Sequence, residues 1–347
     1  AKMKKIRIAF IGVEHDHATF NISSVLRHSK LFEPVCYALP EVGKDDYNKR
    51  LKIFGKLPLR SVEEILNDNS IDAVMIETFE MNLTKYALMA AKHKKHIFMD
   101  KPGGEDLKEF GDLISAVKQN NLVLQIGYMY RFNPVIKKAL NDVKSGKYGT
   151  VISVEAQMDC FHPIEKRRWL AHFKGGMMFY LGCHLVDIIL QIQGLPEKII
   201  PFNKCSDPHN DAYNDFAVSV FEYKNGISFA KTVACELGGF ARRQIVIHGT
   251  KGTLEIKPIE MYAKNMPSDS LTTKSCEYRS ADWNDCGIKT VTEPYNRYDD
   301  MTAFFAHRIM GDENQILSYD YELELYQTLL KCCNIQKEED NESNTYK

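Results

Sequence analysis

The chain has almost no net charge. Its 45 Lys+Arg stand against 46 Asp+Glu in 347 residues, a formal balance of −1. That removes the electrostatic basis for binding DNA, RNA or an anionic membrane. A long apolar run is also missing. The uncharged stretch through the most apolar region, Gly175 to Val186, falls well short of the roughly 20 residues needed to cross a bilayer. At the amino terminus Ile6–Ile11 is too short and too interrupted for a signal peptide, so it reads as a first strand. The nine cysteines contain no CxxC pair and are odd in number, which argues for unpaired thiols in a reducing cytoplasm rather than for a zinc ribbon or a disulfide framework. Internal repeats and low-complexity segments are absent. With 44% hydrophobic and 26% charged residues, what remains is an ordinary soluble globular composition. At roughly 100–200 residues per domain, the length suits about two domains.

The first part of the chain alternates strand-like and helix-like segments. Ile6–Ile11 ends at Gly12, Pro34–Leu39 ends at Pro40, and Ile71–Ile76, His96–Met99 and Leu122–Ile126 follow. Between them lie helical stretches at Asn21–His28, Ser61–Leu66, Leu83–Lys94 and Asp106–Gln119, with a capping-box pattern at Ser61 and Glu64. This spacing predicts βαβ units in a Rossmann-like, doubly wound parallel sheet over residues 1–130. Residues 131–335 change texture. A helix at Pro134–Lys144 leads into strand-like runs at Val151–Met158, Phe216–Tyr223, Ile227–Cys235, Arg243–His248 and Thr253–Ile256. Asn225-Gly226 and Lys251-Gly252 mark hairpins. The expectation is an α+β domain with a large, mainly antiparallel, open-faced sheet, closed by helices at Thr302–Met310 and Tyr319–Cys333. A polar tail spans 336–347.

Three places could carry chemistry. The first βα turn reads Gly12-Val13-Glu14-His15-Asp16-His17. It keeps the first glycine of a dinucleotide-binding turn, but Glu14 occupies the second glycine position, where a carboxylate repels phosphate unless it turns away. His15 and His17, or the helix N-terminus, could offset this by donating to phosphate. His15-x-His17 is set aside as a metal pair, since alternate histidines in a loop seldom ligate, and no metal is expected. After the second strand Glu41 stands two residues late for gripping a ribose. Lys101 follows a buried strand and precedes Pro102, at the sheet end where open α/β folds bind ligands. Finally, Tyr180, His184 and Asp187 fall at i, i+4 and i+7 of an apolar segment opened by Gly175-Gly176, which lets a ligand or another backbone come close.

In that order, these segments resemble the Gfo/Idh/MocA oxidoreductases. Thr78 after Ile71–Ile76, then Ala87–His96 running into Asp100-Lys101-Pro102, is similar to the family's approach to its Glu-Lys-Pro motif. Tyr130-Arg131-Phe132-Asn133-Pro134 resembles its Arg-Phe-x-Pro segment, Gly175–Asp187 its glycine-rich catalytic helix, and His248-Gly249-Thr250-Lys251-Gly252 its Gly-Thr-x-Gly hairpin. The resemblance implies hydride transfer between NAD or NADP and a hydroxyl-bearing carbon of a sugar, cyclic polyol or related carbohydrate. It implies Lys101 and His184 as the catalytic pair with Tyr180 as a relay, Gly12, Glu14, His15, Glu41, Thr78 and Lys101 at the cofactor, and Arg131, Asn133, Trp169 and Asp187 at the substrate. NAD is preferred, because only Lys44 supplies positive charge near Leu39–Glu41.

Four departures from the family pattern stand out. Tyr180 replaces an aspartate, Phe79 replaces the proline after Thr78, the later glycines of the turn are missing, and so is the usual acid after the second strand. Two alternatives follow: an enzyme that retains and recycles its NAD, or a non-catalytic carbohydrate-binding or regulatory member. A half-apolar sheet face in the second domain predicts a homodimer or homotetramer.

Overall fold

The computed structural model describes residues 4–41, 48–210, 212–314 and 317–335. The expected polar tail at 336–347 and Lys44 lie outside these residues. The chain divides into two compact units. One comprises Ala1–Asn133, Tyr262–Leu271 and Pro294–Glu324; the other comprises Pro134–Met261, Thr272–Glu293 and Leu325–Lys347. This differs from the contiguous division at 130/131, because two later segments return to the amino-terminal unit.

The first unit is built on five parallel strands, β1 (Ile6–Ile11), β2 (Phe32–Ala38), β3 (Ala73–Ile76), β4 (His96–Met99) and β5 (Leu124–Ile126), in the order β2-β1-β3-β4-β5. Every residue of β3, and Ile8 through Ile11 of β1, is buried, as expected of strands covered on both faces. The connections include α1 (Ala18–Arg27), α2 (Asn48–Leu51), α3 (Val62–Asn67), α4 (Leu83–Lys92) and α5 (Leu107–Gln119). The capping box forms as expected: Glu64 N–H donates to Ser61 Oγ, and Ser61 N–H donates to the Glu64 carboxylate.

The chain runs from β1 outward to β2, then returns to lay β3 on the other side of β1. The crevice beyond the carboxyl ends of β1 and β3 is therefore the topological switch point, where doubly wound sheets bind ligands. The returning segment adds a small pairing of β13 (Ser270–Thr272) with β16 (Tyr295–Asn296), through Ser270↔Asn296 and Leu271↔Tyr295. It also adds α9 (Asp299–Met310), whose Phe305 ring packs on Phe32 and Phe98. That aromatic contact, with Gln125 Nε2 donating to the Met301 carbonyl, explains why this segment belongs to the first unit.

The second unit carries an eight-stranded sheet. In sequence its strands are β6 (Val151–Gln157), β7 (Lys198–Lys204), β8 (Phe216–Tyr223), β9 (Gly226–Val233), β10 (Gln244–Gly249), β11 (Gly252–Ile256), β14 (Lys274–Tyr278) and β15 (Ile288–Val291), ordered β15-β14-β11-β10-β6-β9-β8-β7. All neighbours are antiparallel except β6 and β9. The hairpin at Asn225-Gly226 is present with a different turn. Tyr223 pairs with Gly226, so Lys224 and Asn225 make the corner. Gly226 is required for close approach: a Cβ there would lie 1.8 Å from the Ile152 carbonyl oxygen. Of the helices α6 (Pro134–Lys144), α7 (Ile164–Trp169) and α8 (Cys183–Gln193), α8 covers one face of the sheet against β6 and β9. The opposite face presents Ile200, Phe202, Phe216, Val218, Val220, Ile227 and Phe229, alternate residues in register across β7, β8 and β9.

Candidate functional site

The site in the first unit grows from the end of β1. Gly12 adopts φ +83°, and a Cβ there would come within 2.8 Å of Thr78 and of the Glu14 carboxylate. Only glycine lets the turn lie this close to the end of β3. Val13 N–H then donates to Glu14 Oε2 at 2.8 Å. The Glu14 side chain has thus folded back into its own turn and is buried, with burial raising its pKa against the pull of the backbone hydrogen bonds. Arg50 clamps the outside of this turn, with Nη1 donating to the carbonyls of Val13, Glu14 and His15.

His15 is fully buried. Its Nδ1 accepts a hydrogen bond from His17 N–H at 3.1 Å, and its Nε2 lies 3.0 Å from the Lys101 carbonyl. A backbone N–H can only donate and a carbonyl can only accept, so the ring is neutral with its proton on Nε2. Burial acts the same way, pushing its pKa down to about 3. Around the ring stand three carboxylates: Asp100 Oδ2 at 3.2 Å and Glu77 Oε2 at 4.0 Å from Nδ1, and Glu80 Oε1 at 3.7 Å from Nε2. Asn21 Nδ2 bridges Glu77 and Asp100 at 2.8 and 2.9 Å. Burial and the adjacent charge of Asp100 push Glu77 well above the carboxylate range, so it holds a proton beside an ionised Asp100. Burial opposes the charge of Asp100, yet hydrogen bonds from His17 and Glu77 keep its carboxyl below the usual range.

Lys101 follows Asp100 at the carboxyl end of β4 and is only 1% exposed. A lysine is almost never so deeply buried in a simple turn. Thr78 is also buried at the end of β3, and its Oγ1 has no hydrogen-bond partner among the described residues. Glu41, which follows β2, turns toward the segment that follows β3. Its carboxylate accepts from the Phe79 N–H at 2.9 Å and from Asn82 Nδ2. The two departures noted in sequence explain each other, since a proline at 79 would offer no N–H to Glu41.

These residues fit a dinucleotide. Gly12 brings the turn against Thr78, Thr78 Oγ1 is an orphaned hydroxyl at the switch point, and the Glu14 carboxylate is an anion already seated on the N–H of the phosphate-binding turn. It marks where a phosphate oxygen would be received, and it must leave when one arrives.

The second unit holds the other expected residues. Tyr180 lies in a π-helical turn, Met178–Gly182, and α8 begins only at Cys183. The expected stripe of Tyr180, His184 and Asp187 thus runs across the junction of a π turn and α8 rather than along one α-helix. Tyr180 instead meets the Trp169 ring edge-on at 5.5 Å, with Lys166 Nζ 3.6 Å from the Trp169 centroid. His184 and Asp187 are buried, and Asp187 Oδ2 accepts from Gln191 Nε2 at 3.1 Å. The Gly175-Gly176 pair serves packing rather than a ligand: Cβ atoms there would meet Cys333 Sγ at 2.3 Å and the Asn214 carbonyl at 2.1 Å.

Arg131 and Asn133, expected at the substrate, belong to the first unit. Arg131 grips both oxygens of Glu322 at 2.6 and 3.0 Å and stacks over Tyr128. Asn133 Nδ2 donates to Tyr295 Oη at 2.8 Å. The fork of Arg131 is thus engaged inside its own unit. Sequence reasoning missed Arg50, Asn21, Glu77 and Glu80, because none sits in a recognisable spacing and only the fold gathers them.

Comparison with known proteins agrees with this architecture. Residues 6–128 match the oxidoreductase family with an NAD-binding Rossmann fold, and residues 136–255 match the GFO/IDH/MocA C-terminal domain. The chain is 24% identical over 196 residues to the uncharacterized oxidoreductase YhhX of Escherichia coli, covering 56% of this chain and 55% of that protein. It is 24% identical over 165 residues to myo-inositol 2-dehydrogenase of Thermotoga maritima, covering 47% and 48%. These matches span about half the length of each relative. Among solved structures, KijD10, a 3-ketoreductase from Actinomadura kijaniata in complex with NADP and TDP-benzene, superimposes with TM-score 0.76 at 16% identity, over 94% of this chain and 96% of that one. Among the described residues no helix is long and apolar enough to cross a membrane. The two family matches cover most of both units, and the chain belongs to the Gfo/Idh/MocA family of NAD(P)-binding oxidoreductases.

Proposed function

We propose that the protein is an NAD(P)-dependent oxidoreductase acting on a hydroxyl-bearing carbon of a sugar, cyclic polyol or related carbohydrate. The observation that carries this reading is Lys101, a fully buried lysine at the carboxyl end of β4 in a sheet whose switch point fits a dinucleotide. The names of relatives such as the inositol dehydrogenase support the substrate class.

Gly12, Thr78 and the N–H groups of the β1 turn would hold the cofactor, and its nicotinamide supplies the hydride chemistry when bound. The chain's own part is acid–base work and orientation. Lys101 takes the hydroxyl proton as the carbon is oxidised and returns it in the reverse direction. In the second unit, the family pattern gives His184 a catalytic part and Tyr180 that of a proton relay. Trp169 offers an aromatic face to the C–H side of a sugar ring. Tyr180 cannot replace the family's usual aspartate as an anion at neutral pH, so the proton has no fixed carboxylate to follow at that position. The outward apolar face of Phe202, Phe216, Ile227 and Phe229 supports a homo-oligomer.

The reading is tested by assaying purified protein against a panel of sugars and polyols with NAD+ and NADP+, following reduced nicotinamide. Turnover on a cyclic polyol or sugar that disappears in Lys101→Met is expected. Turnover unchanged in Lys101→Met would overturn the assignment. One observation favours a second reading, a carbohydrate-binding member without turnover: Glu14 already occupies the anion position. That reading expects no nucleotide affinity even when Glu14 is removed.

A further inference from the structure

The histidines and the carboxylate at the mouth of β1 and β4 have an arrangement the proposed hydride chemistry does not use. His15 Nδ1 is the unprotonated ring nitrogen, since the opposite nitrogen donates to the Lys101 carbonyl, and its one lone pair accepts from the His17 N–H at 3.1 Å, a bond that an entering ion would displace. That lone pair is 3.2 Å from Asp100 Oδ2, and His17 Nδ1 is 3.5 Å from Asp100 Oδ1. One ligand atom from each of the three residues falls within 4.8 Å of the others. Two donors about 2.0–2.1 Å from a tetrahedral metal stand roughly 3.3 Å apart, close to the separation of each imidazole from the Asp100 carboxylate.

We propose that His15, His17 and Asp100 form a binding site for a divalent transition-metal ion of the zinc class. Two imidazoles and one carboxylate are the donor set such ions prefer, and they leave a position open. The surroundings are those of a built site. His15 donates its other N–H to a backbone carbonyl, the outer contact that fixes the tautomer of a metal-ligating histidine. Asp100 is oriented by the Lys101 N–H at 2.7 Å and by Asn21 Nδ2. Glu77 Oε2, wholly buried and without a hydrogen-bond donor among the described residues, points at the same nitrogen of His15 from 4.0 Å. The ionised carboxylate of Asp100 gives a cation entering the cluster a negative partner. His17 is the most accessible of the three, its side chain 18% exposed. The adjacent-but-one histidine spacing was uninformative because the third ligand comes from a different strand, and only the β1–β3–β4 topology brings it in.

The test is a Zn2+ titration of chelator-treated full-length protein against a chromophoric chelator, with wild type beside His17→Gln and, as an exposed control, His93→Gln. The expected result is one tightly bound ion per chain in wild type and His93→Gln, weakened at least tenfold in His17→Gln. The thiols are common to all three proteins and cancel in the comparison. Equal binding by all three, or no tight equivalent in wild type, would overturn the site. A second measurement needs no variant. Nitrogen NMR of the histidines should show His15 Nδ1 moving on Zn2+ addition while Nε2 keeps its proton, and an unmoved His15 would overturn the site equally.

Discussion

The Glu14 carboxylate accepts the backbone N–H of Val13 at 2.8 Å, inside the turn that in a dinucleotide-binding fold receives phosphate. On the proposed reading, the side chain would compete with a cofactor phosphate for that position. Replacing it with glycine removes the competitor and the like charge. Glu14→Gly should tighten NAD(P)H binding by about tenfold, on the order of 1.4 kcal/mol, measured by nicotinamide fluorescence.

The same relationship sets a pH dependence. Burial raises the Glu14 pKa, so the group becomes neutral at a higher pH than an ordinary glutamate. Below the raised value its repulsion of phosphate is gone; above it the full charge opposes binding. Dinucleotide affinity should therefore increase as pH falls through the raised pKa. Glu14→Gln should flatten that profile, and an unchanged slope in the variant would rule Glu14 out as its source.

Lys101→Met keeps the buried volume and removes the ammonium. The fold should survive, judged by an unchanged circular dichroism spectrum, while kcat falls by roughly 10²–10⁴-fold, the usual worth of a general acid–base group. Cofactor affinity should change far less than kcat.

A stability prediction concerns the second unit. Glu277 accepts from Lys147 Nζ at 2.8 Å, Arg279 Nε at 2.7 Å and Tyr148 Oη at 3.1 Å. Burial works against its charge, but these donors prevail and bring its pKa down to about 2. A depressed carboxylate contributes stability above its unfolded pKa and loses it as pH falls through the folded value. Glu277→Gln should cost roughly 2 kcal/mol at neutral pH and almost nothing near pH 2, read from denaturant midpoints at both.

Gly226→Ala tests the sheet. Its Cβ would strike the Ile152 carbonyl. The variant should lose about 2–4 kcal/mol, although φ at this position is ordinary for any residue. A loss within the range of a surface substitution would show that β6 and β9 are looser than described.

The parallel sheet was legible because β1, β3, β4 and β5 are short, mostly buried apolar runs closed by turns, with helices between the strands. The hairpins of the second unit were legible for similar reasons. Edge strand β7 and the β14–β15 pair were not, because Lys198–Lys204 and Ile288–Val291 are exposed or half-exposed and carry no clean alternation. At the site, Lys101 and Gly12 could be read because each acts where its own strand ends. Three features could not. The return of Phe305 to the first unit is a packing event across a long sequence separation. The π turn at Tyr180 depends on Gly182, where a Cβ would meet Met178 Sδ at 2.4 Å, and helical spacing does not register it. The bond between Glu41 and the Phe79 N–H joins two departures that look unrelated in the chain.

The central claim is that the anion position in the β1 turn is a cofactor site held by Glu14. The most direct measurement is a parallel titration of wild type and Glu14→Gly with NADH and NADPH, following nicotinamide fluorescence after denaturation of a control sample has shown whether any nucleotide is retained. The account predicts saturable binding of at least one nucleotide by both proteins, tighter in Glu14→Gly. No binding by either protein, with no nucleotide released on denaturation, would contradict it.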